Sequence, residues 1–395
     1  MKILVLCQYY APEPFRLPDI CQALAEQGHD VTVVTGTPNY PEGRIYPGYE
    51  KGQHRDETVN GVKVHRCPLI PRKSGVFYRF LNYYSFVLSS EWYLWTCRED
   101  FDVVLINQLS PVMMAQAGQS WARRHGKRCV LYCLDLWPES LLAGGISPHS
   151  PVYRFFWKVS RRIYRRSDAI LVTSRGFEAY FRDVLGVEDR PITYLPQYAE
   201  ELFDRLPQAE KTDEKVHFLF AGNVGAAQSV QTIVEAAALL REEKGIHIHI
   251  VGGGVSLESC REMARDLPNI TFHGRQPLEK MPEYYAMADV LLITLVDDPV
   301  MSLTLPGKVQ TYLAAGKPLV GAIGGETARV IDDARCGLRG PAQDPASLAE
   351  NIRRAASDAD LRRTWGENAR AYYESSFRKE YFMQTLIRVL RQNCD

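Results

Sequence analysis

The chain has 395 residues, enough for two domains of ordinary size, with the apolar and glycine content of a globular protein. Its 47 basic residues balance 47 acidic ones, so no overall basic field recommends a nucleic-acid partner. Nine scattered cysteines without a C-x-x-C pair offer neither a disulfide framework nor a zinc site, and fit the reduced thiols of a cytosolic protein.

The opening, MKILVLCQYYAPEP, reads as a buried strand that runs into a proline-rich loop. Its apolar core, Ile3 to Cys7, is far too short for a signal peptide. No run of about 18 uncharged apolar residues follows, so no membrane span is expected. The nearest run, Phe80 to Ser90, is bracketed by Arg79 and Glu91. A helical pattern from Leu17 to Gln27 stops at Gly28, and the strands DVTVVTG, VKVHRCP, DVVLIN, RCVLYCLD and AILVTS come after it. Val, Ile and Leu without alternation mark parallel strands covered on both faces. Each strand ends in a loop-forming residue, at the edge where open α/β sheets bind ligands.

A charged stretch, Glu200 to Lys215, separates this half from a second one that repeats the logic in VHFLFAGN, IHIHIVGGG, ITFHG, VLLITL and PLVGAI. The expected fold is α/β, with two Rossmann-like, doubly wound parallel-sheet domains at residues 1–200 and 201–375 facing across a ligand cleft. Residues 376–395 form a last helix, with Phe382, Leu386, Val389 and Leu390 on one face, expected to pack back on the first domain.

Three stretches of the second half carry chemistry. FAGNVGAAQSV (220–230) puts Gly222 and Gly225 between a strand and a helix that begins near Ser229, where backbone approaches an anion closely; a ligand-free tight turn is the alternative. VGGGVSLE (251–258) is a second glycine loop, or a plain linker. In SLTLPGKVQTYLAAGKP (302–318), Pro306 favours a helix start and places Lys308 in the first turn. A cation there opposes the helix dipole unless an anion, such as a diphosphate, lies between them. IHIHI is strand alternation and not a metal pair.

In this order GHDVTVVTG, FAGNVGAAQ, IVGGG, FHGRQP, YYAMADVLL and PGKVQTYLAAGKPLVG resemble glycosyltransferase family 4 over nearly the whole chain. TPNYPEG (37–43) and LDLWPES (134–140) resemble its bacterial branch that transfers amino sugars such as N-acetyl-L-fucosamine in O-antigen and capsule assembly. The resemblance implies a GT-B fold, with a UDP-sugar donor held by the second domain and a lipid-linked saccharide acceptor by the first. It also implies transfer with retention and without a metal. Carried over, the donor residues are Gly222, Asn223, Gly225, Gln228, Gly252, Gly253, Arg275, Thr304, Thr311 and Glu326, with the nucleobase near the backbone of His273 to Gln276. Many relatives have cations where Asn223 and Gln228 stand, which leaves Lys308 as the principal cation. Many also have glutamates where Leu303 and Thr311 stand; Thr311 then offers ribose only a hydroxyl, and Glu326 is the nearest acid. Asp135 and Glu139 join Lys308 as catalytic candidates on the acceptor hydroxyl, and Tyr40, Glu42 and Arg44 form an acceptor-side loop.

In YRFFWKVSRRIYRRSD (153–168), Arg154, Lys158, Arg161 and Arg165 fall on one helical stripe with Arg162 beside it, and Phe155, Phe156, Val159 and Ile163 fall on another. With the aromatic segment 75–95 this suits the anionic inner face of a cell membrane and a peripheral enzyme. A solvated basic face is the alternative. A non-catalytic nucleotide-sugar-binding relative and a GT-B sugar-nucleotide epimerase remain the rival readings.

Overall fold

The computed structural model describes residues 1–71, 76–142, 145–208 and 213–394. Gly75 of the aromatic segment and residues 209–212 of the linker lie outside the described residues. The chain divides into two compact units, Met1–Leu195 with Met383–Asp395, and Pro196–Phe382. The first boundary falls a few residues before the charged linker, and the second inside the last helix.

The strands of the first unit are β1 (Lys2–Leu6), β2 (Asp30–Gly36), β3 (Asp56–Val59), β4 (Val62–Cys67), β5 (Val103–Gln108), β6 (Arg128–Cys133), β7 (Ala169–Val172) and β8 (Ile192–Tyr194). Among the described residues they form one sheet in the order β3-β4-β2-β1-β5-β6-β7-β8. The pairings are parallel except for the β3–β4 hairpin. Ile3 to Leu6 are wholly buried, which accounts for the unalternating pattern of a central strand. The helices are α1 (Leu17–Glu26), α2 (Val76–Thr96), α3 (Gln116–His125), α4 (Pro151–Arg166) and α5 (Arg175–Ala179). The Ser150 hydroxyl caps α4 by accepting from the Tyr153 N–H, and Pro151 fills its first position.

The second unit has β9 (Val216–Ala221), β10 (Ile246–Val251), β11 (Ile270–Gly274), β12 (Val290–Thr294), β13 (Leu319–Ala322) and β14 (Gly337–Gly340). Among the described residues these form a parallel sheet in the order β11-β10-β9-β12-β13-β14. The order reverses at β9, so the carboxyl end of β9 is the switch point where such sheets open a crevice. The helices are α6 (Val230–Leu239), α7 (Leu257–Met263), α8 (Met281–Met287), α9 (Pro299–Leu303), α10 (Gly307–Ala314), α11 (Gly325–Ala334), α12 (Pro345–Ser357), α13 (Ala359–Ser376) and α14 (Lys379–Gln392). The later residues of α14 belong to the first unit, where Cys394 Sγ lies 3.2 Å from Met1 Sδ.

Three edge-side strands, β3, β8 and β14, were not expected. β3 (DETV) is polar and half exposed, and it pairs with β4 through Asn60 and Gly61, both at positive φ. That is the asparagine–glycine chemistry of a two-residue hairpin.

Candidate functional site

The site is built at the carboxyl edge of the second sheet. Gly222 and Gly252 have φ of +149° and +150°, and a Cβ on Gly252 would lie 1.7 Å from the Gly222 carbonyl oxygen. The Gly222 N–H donates to Val251 O and the Val224 N–H to Gly253 O, both at 2.9 Å, so the two glycine loops are stitched together. Asn223 is exposed, and its side chain lies where Cβ atoms on Gly225 and Gly254 would be. The expected helix start is found: Ser229, at φ 47°, precedes α6.

Lys308 stands in the first turn of α10, with Pro306 at the cap position. Its Nζ donates to Gln228 Oε1 at 2.5 Å and lies 4.1 Å from the centre of the Phe220 ring. A Cβ on Gly222 would sit 2.9 Å from the same Nζ. Burial lowers the Lys308 ammonium from the usual lysine range to about 7. Among the described residues no carboxylate pairs with it. The structure therefore brings together Gly222, Gln228, Gly252 and Lys308, and puts an amide oxygen where the dipole argument asked for an anion.

The other donor candidates are distributed around this core. Arg275 is exposed beside Gly253. Thr304 turns its hydroxyl back to Val300 O, 3.3 Å away. Thr311 is buried; its hydroxyl donates to Gly307 O at 3.3 Å and stands 3.5 Å from Glu200 Oε2. A carboxylate from outside the 302–318 stretch thus reaches this position, with no local cue to it in the sequence. Glu326, at the start of α11, is buried and ion-paired with Arg329.

In the first unit, Asp135 follows β6 and accepts from the Ser110 N–H at 3.1 Å. Burial raises its carboxyl above the usual aspartate value. Glu139 is buried and turned inward, where it accepts from Tyr153 Oη at 2.8 Å and from Tyr180 Oη. Its carboxylate thereby ties the loop after β6 to α4 and to the turn that follows α5. Tyr40 packs against Tyr9 and Phe15, while Glu42 and Arg44 are exposed. The loop is held by a residue the sequence reading passed over. Glu13 accepts from the Asn39 N–H at 2.9 Å, the Tyr40 N–H at 2.7 Å and the Tyr10 N–H at 3.2 Å. Burial nevertheless pushes its carboxyl up to about 7. The cue was an acid between two prolines just after the first strand.

The basic stripe needs correction. Arg154, Lys158 and Arg162 are exposed, but Arg161 donates to Leu185 O at 2.8 Å and stacks on Trp157. Arg165 pairs with Asp189 at 3.4 Å. Phe156 and Ile163 belong to the core, whereas Phe155 is exposed among the arginines. The aromatic segment forms one helix, α2. Its inner face buries Asn82, Phe86, Ser90 and Leu94, and its outer face exposes Phe80, Leu88, Trp92 and Trp95. Among the described residues no helix is long and apolar enough to cross a membrane, and no cluster of three or more His, Cys, Asp or Glu is arranged to hold a metal ion.

Two Rossmann-like parallel sheets, the second edged by stitched glycine loops and a lysine-bearing helix start, define the GT-B class of sugar transferases. Residues 16–197 match the family described as glycosyl transferase 4-like domain, and residues 215–358 match glycosyl transferases group 1. The two matches cover most of the chain, which belongs to these glycosyltransferases. It is 27% identical over 336 residues to a putative colanic acid biosynthesis glycosyl transferase, WcaI, of Escherichia coli, covering 80% of this chain and 82% of that one. It is 28% identical over 263 residues to a probable glycosyltransferase, WbjE, of Pseudomonas aeruginosa, covering 63% of this chain and 65%, just under two thirds, of that relative. Among solved structures, sucrose-phosphate synthase from Thermosynechococcus elongatus superposes with a TM-score of 0.76 at 18% identity, covering 99% of this chain and 98% of that one. HepE of Anabaena, solved with UDP, superposes at 0.73 and 13% identity, covering 99% and 100%.

Proposed function

We propose that the protein transfers a sugar of the N-acetylhexosamine or N-acetyl-deoxyhexosamine type from a UDP-sugar to a polyprenyl-diphosphate-linked saccharide, with retention, in the assembly of a bacterial surface polysaccharide. The observation that carries this reading is Lys308, a partly buried cation at a glycine-lined sheet edge with which, among the described residues, no carboxylate pairs. The leaving diphosphate supplies the missing charge. Lys308 and the backbone of the Gly222 and Gly252 loops would stabilise it as the bond to the sugar breaks, through preorganised electrostatics and without a metal. A leaving phosphate oxygen takes the acceptor's proton on the same face, while Asp135, its affinity for protons raised by burial, orients the acceptor hydroxyl. Glu200, beside Thr311, supplies a carboxylate for the ribose. WcaI, by its name, and HepE, by its bound UDP, support the polysaccharide and donor assignments. The exposed outer face of α2, with Arg154, Phe155, Lys158 and Arg162 of α4, is the surface proposed to meet the cytoplasmic leaflet.

Calorimetry with UDP, GDP, ADP and CMP tests the donor, and turnover of UDP-sugars with membrane extracts in EDTA tests the transfer. Binding selective for UDP and turnover that needs an acceptor are expected. UDP binding without turnover of any UDP-sugar would leave a binding protein, the reading favoured by the absence of acids at Leu303 and Thr311.

A further inference from the structure

Three histidines on neighbouring strands of the second unit form a hydrogen-bonded line. His217 Nε2 lies 2.9 Å from Asp213 Oδ1, His217 Nδ1 lies 3.0 Å from His249 Nε2, and His249 Nδ1 lies 2.9 Å from His273 Nε2. In the ladder His249 stands opposite Leu219 of β9 and Thr271 of β11. Each step of the line therefore climbs two residues toward the carboxyl edge, and strand alternation keeps all three rings on one face. The line begins at the amino end of β9 and ends at His273, on the turn where Gln276 donates to His273 O at 2.8 Å and the Gly252 N–H donates to Gly274 O at 2.9 Å.

With all three rings neutral, the chemistry of the line allows one arrangement of protons. A carboxylate only accepts, and a neutral imidazole has one donor and one acceptor nitrogen. Asp213 thus requires the proton of His217 on Nε2. His217 Nδ1 then accepts from His249 Nε2–H, and His249 Nδ1 accepts from His273 Nε2–H. His273 Nδ1 is left as a bare acceptor. A proton taken up there moves the other way: His273 passes its Nε2 proton to His249, which passes its own to His217. The positive charge comes to rest on His217 against Asp213, and His273 now presents an N–H. Burial disfavours charge at His249, whose value falls to about 3, and also lowers His247 and His273, so at neutral pH these three rings are uncharged. The surrounding groups are His247, bonded to Thr271 Oγ1 at 2.9 Å, Lys215 beside it, Asp289 on the backbone N–H of His217, exposed Arg275 after the turn, and the Tyr284 ring of α8 edge-on to His273 at 5.0 Å.

We propose that Asp213, His217, His249 and His273 form a proton relay that holds His273 Nδ1 as a hydrogen-bond acceptor for the donor's nucleobase and turns it into a donor when the line takes up a proton. His273 is thereby a specificity-determining residue that favours a base offering an imide N–H, as uracil does, and Asp213 is a remote positioning residue. The base-recognition part rests on the donor site proposed above.

The test uses the full chain labelled with ¹⁵N-histidine. Long-range ¹H–¹⁵N spectra at pH 7.5 should show His217, His249 and His273 in the Nε2–H form, and Asp213→Asn, which also offers a donor, should lose that uniform pattern. Calorimetry with UDP from pH 5.5 to 8 follows on both proteins, so that the titration of UDP's own phosphate cancels in the comparison. The wild type should lose at least threefold more affinity toward pH 5.5 than Asp213→Asn. Mixed tautomers in the wild type overturn the relay. The expected tautomers with identical pH profiles overturn the link to the base. No UDP binding at any pH refutes the donor site itself and its base recognition, while the spectra still decide the relay.

Discussion

Lys308, partly buried, and Glu13, buried, are ionisable groups whose protonation is set by opposite needs. Lys308, lowered to about 7, is half neutral in the empty site at neutral pH. A bound diphosphate restores the charge, so binding at pH 8 should take up close to one proton. The affinity should fall up to about tenfold per pH unit above 7, until the pKa of the occupied site is reached. Calorimetry in buffers of differing ionisation enthalpy reads the proton directly. In Lys308→Met both the uptake and at least about tenfold of the affinity should vanish. A variant that keeps both would remove Lys308 from the diphosphate.

Glu13 has the opposite signature. Its folded value of about 7 lies above the unfolded one, so the protonated carboxyl favours the folded state. The associated stability is fully present below about pH 4.5 and is lost as pH rises through 7, at most on the order of 3 kcal/mol. The melting temperature of wild type relative to Glu13→Gln should therefore decline from pH 5 to 7.5. A difference that rises with pH would mean that the three backbone donors outweigh burial.

Among the elements, most central strands were legible because burial on both faces imposes unbroken Val, Ile and Leu runs. The strands missed were those whose pairing is decided elsewhere: β8 and β14 are three and four residues long, and β3 is polar. The same division holds for the site. The glycine loops and Lys308 announce themselves by residue type and spacing, whereas Glu200 and Glu13 act through chain segments that only folding brings near. Gly252 shows how strict the loop is: Gly252→Ala places a methyl against the Gly222 carbonyl at an unfavourable φ. It should cost about 1–3 kcal/mol in stability and abolish UDP binding, as read by melting and calorimetry. Helix α2 carries an exposed apolar face. Trp92 and Trp95 are about two thirds exposed, with Leu88 one turn before. Trp92→Ser with Trp95→Ser should leave the melting temperature within about 2 °C and reduce co-sedimentation with anionic vesicles at least fivefold. Unchanged sedimentation would detach α2 from the membrane.

At the scale of the whole molecule, every residue assigned to the donor lies in Pro196–Phe382, and Asp135, Glu13 and α2 lie in the other unit. The sequence made this division visible because the strand–helix alternation starts again after a charged stretch. The return of the chain end was expected of residues 376–395 as a whole; the structure groups only Met383–Asp395 with the first unit, where Cys394 lies beside Met1, far away in sequence. Ligand linkage gives the division a consequence. UDP at about 100 times its dissociation constant stabilises the state it binds by roughly 2.7 kcal/mol. That stabilisation should suppress only those amide openings that destroy the site. Hydrogen exchange followed by mass spectrometry should show slowing at residues 222–229, 252–256 and 304–312, the strands β9 and β10 following where their opening breaks the loops. The amides of β1, β5 and β6 should exchange at unchanged rates. Protection centred instead on the loops after β1 and β6 would move the nucleotide to the first unit, and Lys308 would lose its role with it.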